Sequence, residues 1–202
     1  MTWYWFPDNT VLCNFAVVRK LPLLRQILRE RGRWTEAIAF EADRSARYHP
    51  DLRTVAVEGW LGEPIEIDIE EAHVVERVRR AVFGGTQQEP LKHLGEAQTC
   101  HVIRHWPEFA GSYWITDDYD AQEYAKNVGI TTRDTADLIS EGVNEGYCSR
   151  NDGYRDSSAV LRSSGRGVKR ARPRSGAGKA DPPPGGSASR WAQTGRFCCS
   201  MY

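Results

Sequence analysis

Residues 114–121 read WITDDYDA, with three aspartates, Asp117, Asp118 and Asp120, inside four positions. They directly follow a β-prone run, and no lysine or arginine stands beside them. Two unit charges about 5 Å apart repel by roughly 3 kcal/mol at an effective dielectric near 20. Carboxylates gathered in one cleft therefore either raise their pKa values or recruit a cation. Three further acids are candidates to join them. Asp8 follows the aromatic run TWYWF, Glu41 lies in AIAFEADRS, and Glu96 lies in HLGEAQT between Gly95 and Ala97, whose small size suits close approach of another element. Hard divalent cations with oxygen ligands, Mg2+ or Mn2+, suit an all-carboxylate site, where they clamp phosphate oxygens and activate water. Plainer readings exist for each: Asp8 as a helix cap, Glu41 and Glu96 as solvent-facing helix positions, and TDDYD as an acidic helix start.

Other chemistry is sparser. His101 and His105 stand four apart in HVIRH, a spacing that serves metal pairs, but the glutamate of HExxH is absent and surface histidines are commoner. Neither GxGxxG, a P-loop nor GxSxG occurs. The five cysteines are odd in number and form no CxxC pair, so neither a disulfide framework nor a zinc knuckle is expected, and Cys13 and Cys100 read as core residues. A magnesium-dependent phosphatase would need a nucleophilic Asp-x-Asp after the first strand, where this chain has Asp8, Asn9 and Thr10.

The elements that must position the acids follow from periodicity. TWYWF predicts a strand stopping at Pro7 and Asp8; TVLCNFAVV predicts a helix; LPLLRQILRERG predicts a second, stopped by Gly32; and WTEAIAFEADRSA predicts a third capped by Thr35. Residues 55–69 alternate weakly around Gly59 and Gly62 and predict edge strands or an extended loop. IEEAHVVERVRRAVFGG and PLKHLGEAQTCHVIRH are helical, SYWIT and ITTRD are strands, and AQEYAKNVG and TADLISEGVNEG are helices. The closing β-α-β-α order predicts a parallel three-layer α/β/α domain, whose carboxyl-end loops form the working edge.

Of the 202 residues, 1–148 carry 16 basic and 24 acidic side chains, net −8, whereas 149–202 carry 11 and 3, net +8. Gly, Ser, Pro and Arg fill 30 of the last 54 positions, so a domain over 1–148 and a disordered basic tail over 149–202 are expected. KRARPR in that tail reads as a phosphate-binding arm, a solvated linker or an out-of-frame end. The amino-terminal stretch has no basic leader and its apolar run is too short to span a bilayer, so no membrane association and a reduced, cytoplasmic setting are expected.

The order DNTVLCNF, WTEAIAFEADRS, HLGEAQT and TDDYDAQEYAKNVGITTRDTADLI resembles the PIN-domain family, over about residues 3 to 146, and within it the bacterial VapC-type toxins that carry a TDD motif. The resemblance implies a three-layer domain with a cleft of three or four acids that binds Mg2+ or Mn2+ and cleaves single-stranded RNA. It carries the family's acids onto Asp8, Glu41, Glu96 and Asp118, with Asp117 and Asp120 as alternates for the last. It also implies an antitoxin partner and allows a homodimer. Arg44, Arg47, Lys92 and His93 flank the acids as candidate contacts to the RNA backbone. Pro7, the long segment 48–90 and the tail depart from the family pattern, which keeps open an inactive PIN-like module that binds RNA or protein.

Overall fold

The computed structural model describes residues 3–163. Its strands are β1 (Trp5–Pro7), β2 (Tyr113–Ile115) and β3 (Thr131–Arg133). Among the described residues they form one parallel sheet in the order β1-β2-β3, with Phe6 beside Trp114 and Trp114 beside Thr132. Successive side chains leave a strand on opposite faces. Trp5 and Ile115 accordingly enter one apolar cluster, and Phe6 and Trp114 enter a second.

Helices supply most of the rest of both clusters, making the chain mixed α/β. The first cluster takes Val11, Leu12 and Phe15 of α1 (Asn9–Val17) and Leu24 and Ile27 of α2 (Leu21–Leu28). It also takes Ile38 and Ala42 of α3 (Glu36–Ser45) and, further along the chain, Leu138 and Ile139 of α8 (Thr135–Asn144). The second takes Cys100, Val102 and Ile103 of α6 (Leu94–His105) and Ala121 and Ala125 of α7 (Tyr119–Asn127). Among the described residues no helix is long and apolar enough to cross a membrane.

Two bridges extend the pairing beyond β1. Trp5 pairs in parallel with Gly32, and Thr35 with Ile65. Across the molecule the extended pieces therefore run Ile65, 32–35, β1, β2, β3, with β1 in the middle. Pro7 fits because of where its neighbours lie. Trp5 exchanges bonds with Arg31 and Arg33, while the amide of Asp8 donates to Ile115 of β2. Pro7 therefore faces the side on which the 31–35 segment has already turned toward Ile65, where no donor is required.

Several elements differ from the sequence expectation. Helix α2 ends at Leu28 rather than near Gly32, because Arg29 and Glu30 take left-handed backbone. Of residues 55–69, expected as edge strands or an extended loop, 55–57 belong to a short helix, α4 (Arg53–Val57), and Ile65 makes the bridge to Thr35. The basic tail was expected to be disordered from 149, yet residues 150–163 form α9 (Arg150–Ser163). Close packing explains this helix: a Cβ on Gly153 would come within 2.6 Å of Val143 of α8, Val160 is buried, and Lys20 pairs with Asp156 at 3.5 Å. The remainder of that tail lies outside the described residues.

The approach to α6 is held by one buried cation. Arg79, on α5 (Ile69–Ala81), is 1% exposed. Its Nε and Nη2 grip both oxygens of Glu76 at 2.6 and 2.9 Å, and its remaining N–H groups donate to the carbonyls of Thr86, Glu89 and Lys92 at 3.0 Å. All five guanidinium donors are used. The bond to Arg79, with Arg80 beside it, holds the Glu76 carboxyl down at about 2. Gly85 is required here, since a Cβ would meet Arg79 at 2.4 Å. Arg79→Leu strands three carbonyls and should cost about 3–5 kcal/mol, read as a lower urea midpoint with an unchanged slope.

Candidate functional site

The acids of α3 and α6 are brought together by a close crossing. A Cβ on Gly95 would lie 2.4 Å from Cδ1 of Ile38 and 3.3 Å from Oε1 of Glu41, so only glycine lets α6 meet α3 at this depth. Thr35 precedes α3 but its side chain makes no capping bond. Gln98 of α6 does that work instead: its Oε1 accepts from the amide of Ala37 at 3.1 Å and its Nε2 donates to Glu36 at 2.9 Å. Glu96 lies next to Gly95, half-buried, with its Oε1 3.1 Å from Nδ1 of His93.

Asp8 and the 116–118 segment meet at the carboxyl ends of β1 and β2. The Asp8 carboxylate is 5% exposed and accepts from the amide of Asn9 at 2.7 Å, so it caps α1 as well. Asn9 reaches across to Ser45 of α3 at 3.1 Å. Thr116 is fully buried; its Oγ1 accepts from the amide of Asp118 at 3.2 Å and its carbonyl from Gln122 at 2.7 Å. Asp118 caps α7 by accepting from Ala121 at 2.9 Å. Asp117 turns the other way: its Oδ2 accepts from Asn14 at 2.6 Å and from the Thr135 hydroxyl at 2.5 Å, and its Oδ1 from the Thr135 amide at 2.9 Å.

These positions produce an electrostatic conflict. Burial, and then the charge of Glu96, push the Asp8 carboxyl well above the usual carboxylate range; Asp118 and Asp117 add to the rise, and only the bond from Asn9 opposes it. Four acids from three separate stretches of sequence thus meet around Asp8. Glu41 stands against Gly95 beside them. Asp120 lies exposed in the first turn of α7. Among the described residues no three His, Cys, Asp or Glu side chains stand in ready-made metal-binding geometry.

The flanking cations fall in varied settings. The Arg44 guanidinium sits 5.9 Å from the Phe40 ring centroid, and Arg47 is exposed. Lys92 pairs with Glu89 at 3.4 Å, while the His93 ring is stacked on Phe83 and turned to Glu96. The HVIRH pair takes a structural part: His101 is buried with Nε2 3.1 Å from Glu71, whose carboxylate also receives the Trp106 indole N–H at 3.1 Å, fastening α5 to α6. Sequence reasoning missed Asn14, Thr135 and Gln98, the uncharged groups that aim the acids. Their signal was a polar residue inside an otherwise apolar helix face, as Asn14 is within VLCNFAVV.

No model of a known protein family, no curated protein and no solved structure matches this chain.

Two outcomes follow from the packing. The Asp8 carboxyl is raised in the folded protein and ordinary in the unfolded chain. From the ordinary value of 3.8 upward the folded state thus holds the extra proton, and stability falls as pH rises through that window. Asp8→Asn removes the charge and keeps a capping side chain. In urea titrations it should therefore be the more stable protein near pH 8, with the gap closing toward pH 4. Gly95→Ala, by contrast, should destabilise by about 1–3 kcal/mol at any pH, measured the same way, because Ile38 must give way.

Proposed function

We propose that this chain is a Mg2+- or Mn2+-dependent endoribonuclease of the PIN type, hydrolysing phosphodiester bonds of single-stranded RNA as the toxin of a bacterial toxin–antitoxin pair in the cytoplasm. One observation carries the reading: the buried Asp8 carboxyl faces the charges of Glu96, Asp118 and Asp117 at the carboxyl edge of a parallel sheet. A folded protein has little reason to bury mutually repelling carboxyls unless a cation or a proton relieves them. The sheet order supports the same conclusion. The chain leaves β1 toward 32–35 and Ile65 and later returns to its other side as β2, so the acids lie at the switch point where open α/β sheets bind ligands. Helix-borne apolar clusters drawing on both sides of the sheet agree with a three-layer PIN-like domain. Helix α9 packs on α8 at Gly153, where the tail departs from the family pattern.

The donor set fits a hard divalent cation, being all carboxylate oxygen. Asp8, Glu96 and Asp118 would hold it, with Asp117 and Asp120 as alternates. When bound, the ion supplies positive charge to phosphate oxygens and lowers the pKa of water. The chain's own residues do the rest. Asn14 and Thr135 lock Asp117, Thr116 fixes the turn that presents Asp118, and Glu41 beside Gly95 orients a water or a ligand. The water attacks phosphorus in line, leaving a 5′-phosphate and a 3′-hydroxyl, and no side chain becomes a covalent nucleophile. Arg44, Arg47, Lys92 and His93 remain candidates to steady the RNA backbone. An antitoxin would offer a basic segment to the acidic mouth, and a homodimer is compatible with this arrangement.

Purified protein is incubated with single-stranded RNA in Mg2+, Mn2+ or EDTA. Cleavage in Mn2+, its loss in EDTA, and a drop on the order of 100-fold or more in Asp8→Asn and Asp118→Asn are expected. RNA left intact by the wild-type protein in both metals would sink the nuclease reading and favour a binding module.

A further inference from the structure

We infer that Phe40 and Tyr119 are nucleobase-stacking platforms on opposite walls of the acidic mouth, which restricts the substrate to a strand with unpaired, unstacked bases. The inference rests on the reading of the mouth as a ribonuclease site. Phe40 is 49% exposed on α3 and directly precedes Glu41; Tyr119 is 70% exposed on α7 and directly follows Asp118. Helix α3 packs into the first apolar cluster and α7 into the second, so the helices that carry the two rings lie on opposite faces of the sheet. Each large aromatic surface left in water beside a candidate acid is a π-face open to a base.

Arg44 strengthens the Phe40 side. It lies four residues after Phe40 and three after Glu41, so helical geometry puts it between them, and its guanidinium is 5.9 Å from the Phe40 ring centroid. A planar cation at that position can stack on a base or meet the adjoining phosphate. Charge then decides what kind of affinity the mouth can have. Residues 3–163 hold 19 basic and 26 acidic side chains, so this part of the chain attracts phosphates weakly and base faces must contribute much of the binding at the mouth. Binding through base faces is tolerant of sequence and depends less on salt than binding through many phosphate contacts.

The test uses the full chain in EDTA, where binding is separated from cleavage. Fluorescence anisotropy is followed with a fluorescein-labelled short oligoribonucleotide, with its abasic counterpart, and with an RNA duplex. Phe40→Ala and Tyr119→Ala should each weaken binding of the single strand by about 5- to 100-fold. Phe40→Trp and Tyr119→Phe should restore it, and Tyr154→Ala, an exposed tyrosine on α9, should change nothing. The abasic strand and the duplex should bind weakly and equally to all variants, and thermal melts should be unchanged. Single-strand binding that is absent, or that ignores both alanine substitutions, overturns the inference. Cleavage by the wild-type protein in Mn2+ is scored separately. Cleavage with KM unaltered in the alanine variants keeps the nuclease and removes the platforms, whereas platform-dependent binding without cleavage keeps the platforms and removes the nuclease.

Discussion

A carboxyl group buried among other carboxyls is the constraint around which this molecule is organised. Asp8 cannot be solvated, since it sits at the foot of α1 with its amide tied to β2, and it faces the charges of Glu96, Asp118 and Asp117. Each of those neighbours is held by a contact of its own: Glu96 by His93, Asp118 by its cap on α7, Asp117 by Asn14 and Thr135. None is free to swing away without cost, so the repulsion is built in.

Charge elsewhere in the fold is treated differently. Arg79 is as buried as any core leucine, yet every one of its donors is answered, and Glu71 is pulled below its usual range by His101 and Trp106. A protein that answers the charges of Arg79 and Glu71 around α5 and α6 nevertheless leaves like charges opposed around Asp8. Local disagreement with an otherwise consistent structure is the usual mark of a working surface.

Much of the scaffold was legible in the residues. Aromatic and β-branched runs located all three strands, Asp8 was expected both to end β1 and to cap α1, and the glycine beside Glu96 signalled a tight approach that Ile38 and Glu41 now fill. What escaped has identifiable causes. The ends of α2 and the start of α6 depend on Arg29 and His93 in left-handed backbone, a role that pattern reading assigns to glycine. Among the positions of α9 whose burial is described, Gly153 and Val160 are the buried ones, too weak a stripe to register. Asn14, Thr135 and Gln98 act through pairings of long sequence separation, which no local window contains. Layer architecture and metal chemistry were expectations drawn from element order and clustered carboxylates as well as from resemblance; the backbone bears out the parallel α/β core beneath them.

The strands are only three residues long, and the acids hang from their last rungs. Asp8 donates its amide to Ile115, and Thr116, one residue before Asp117, donates to Arg133. With so short a ladder there is no remote stretch that can fray while the mouth stays intact. Loosening a single rung at the carboxyl end would let the crowded carboxylates spread apart, so the tightness of the cleft and the cooperativity of the sheet are one property of this backbone.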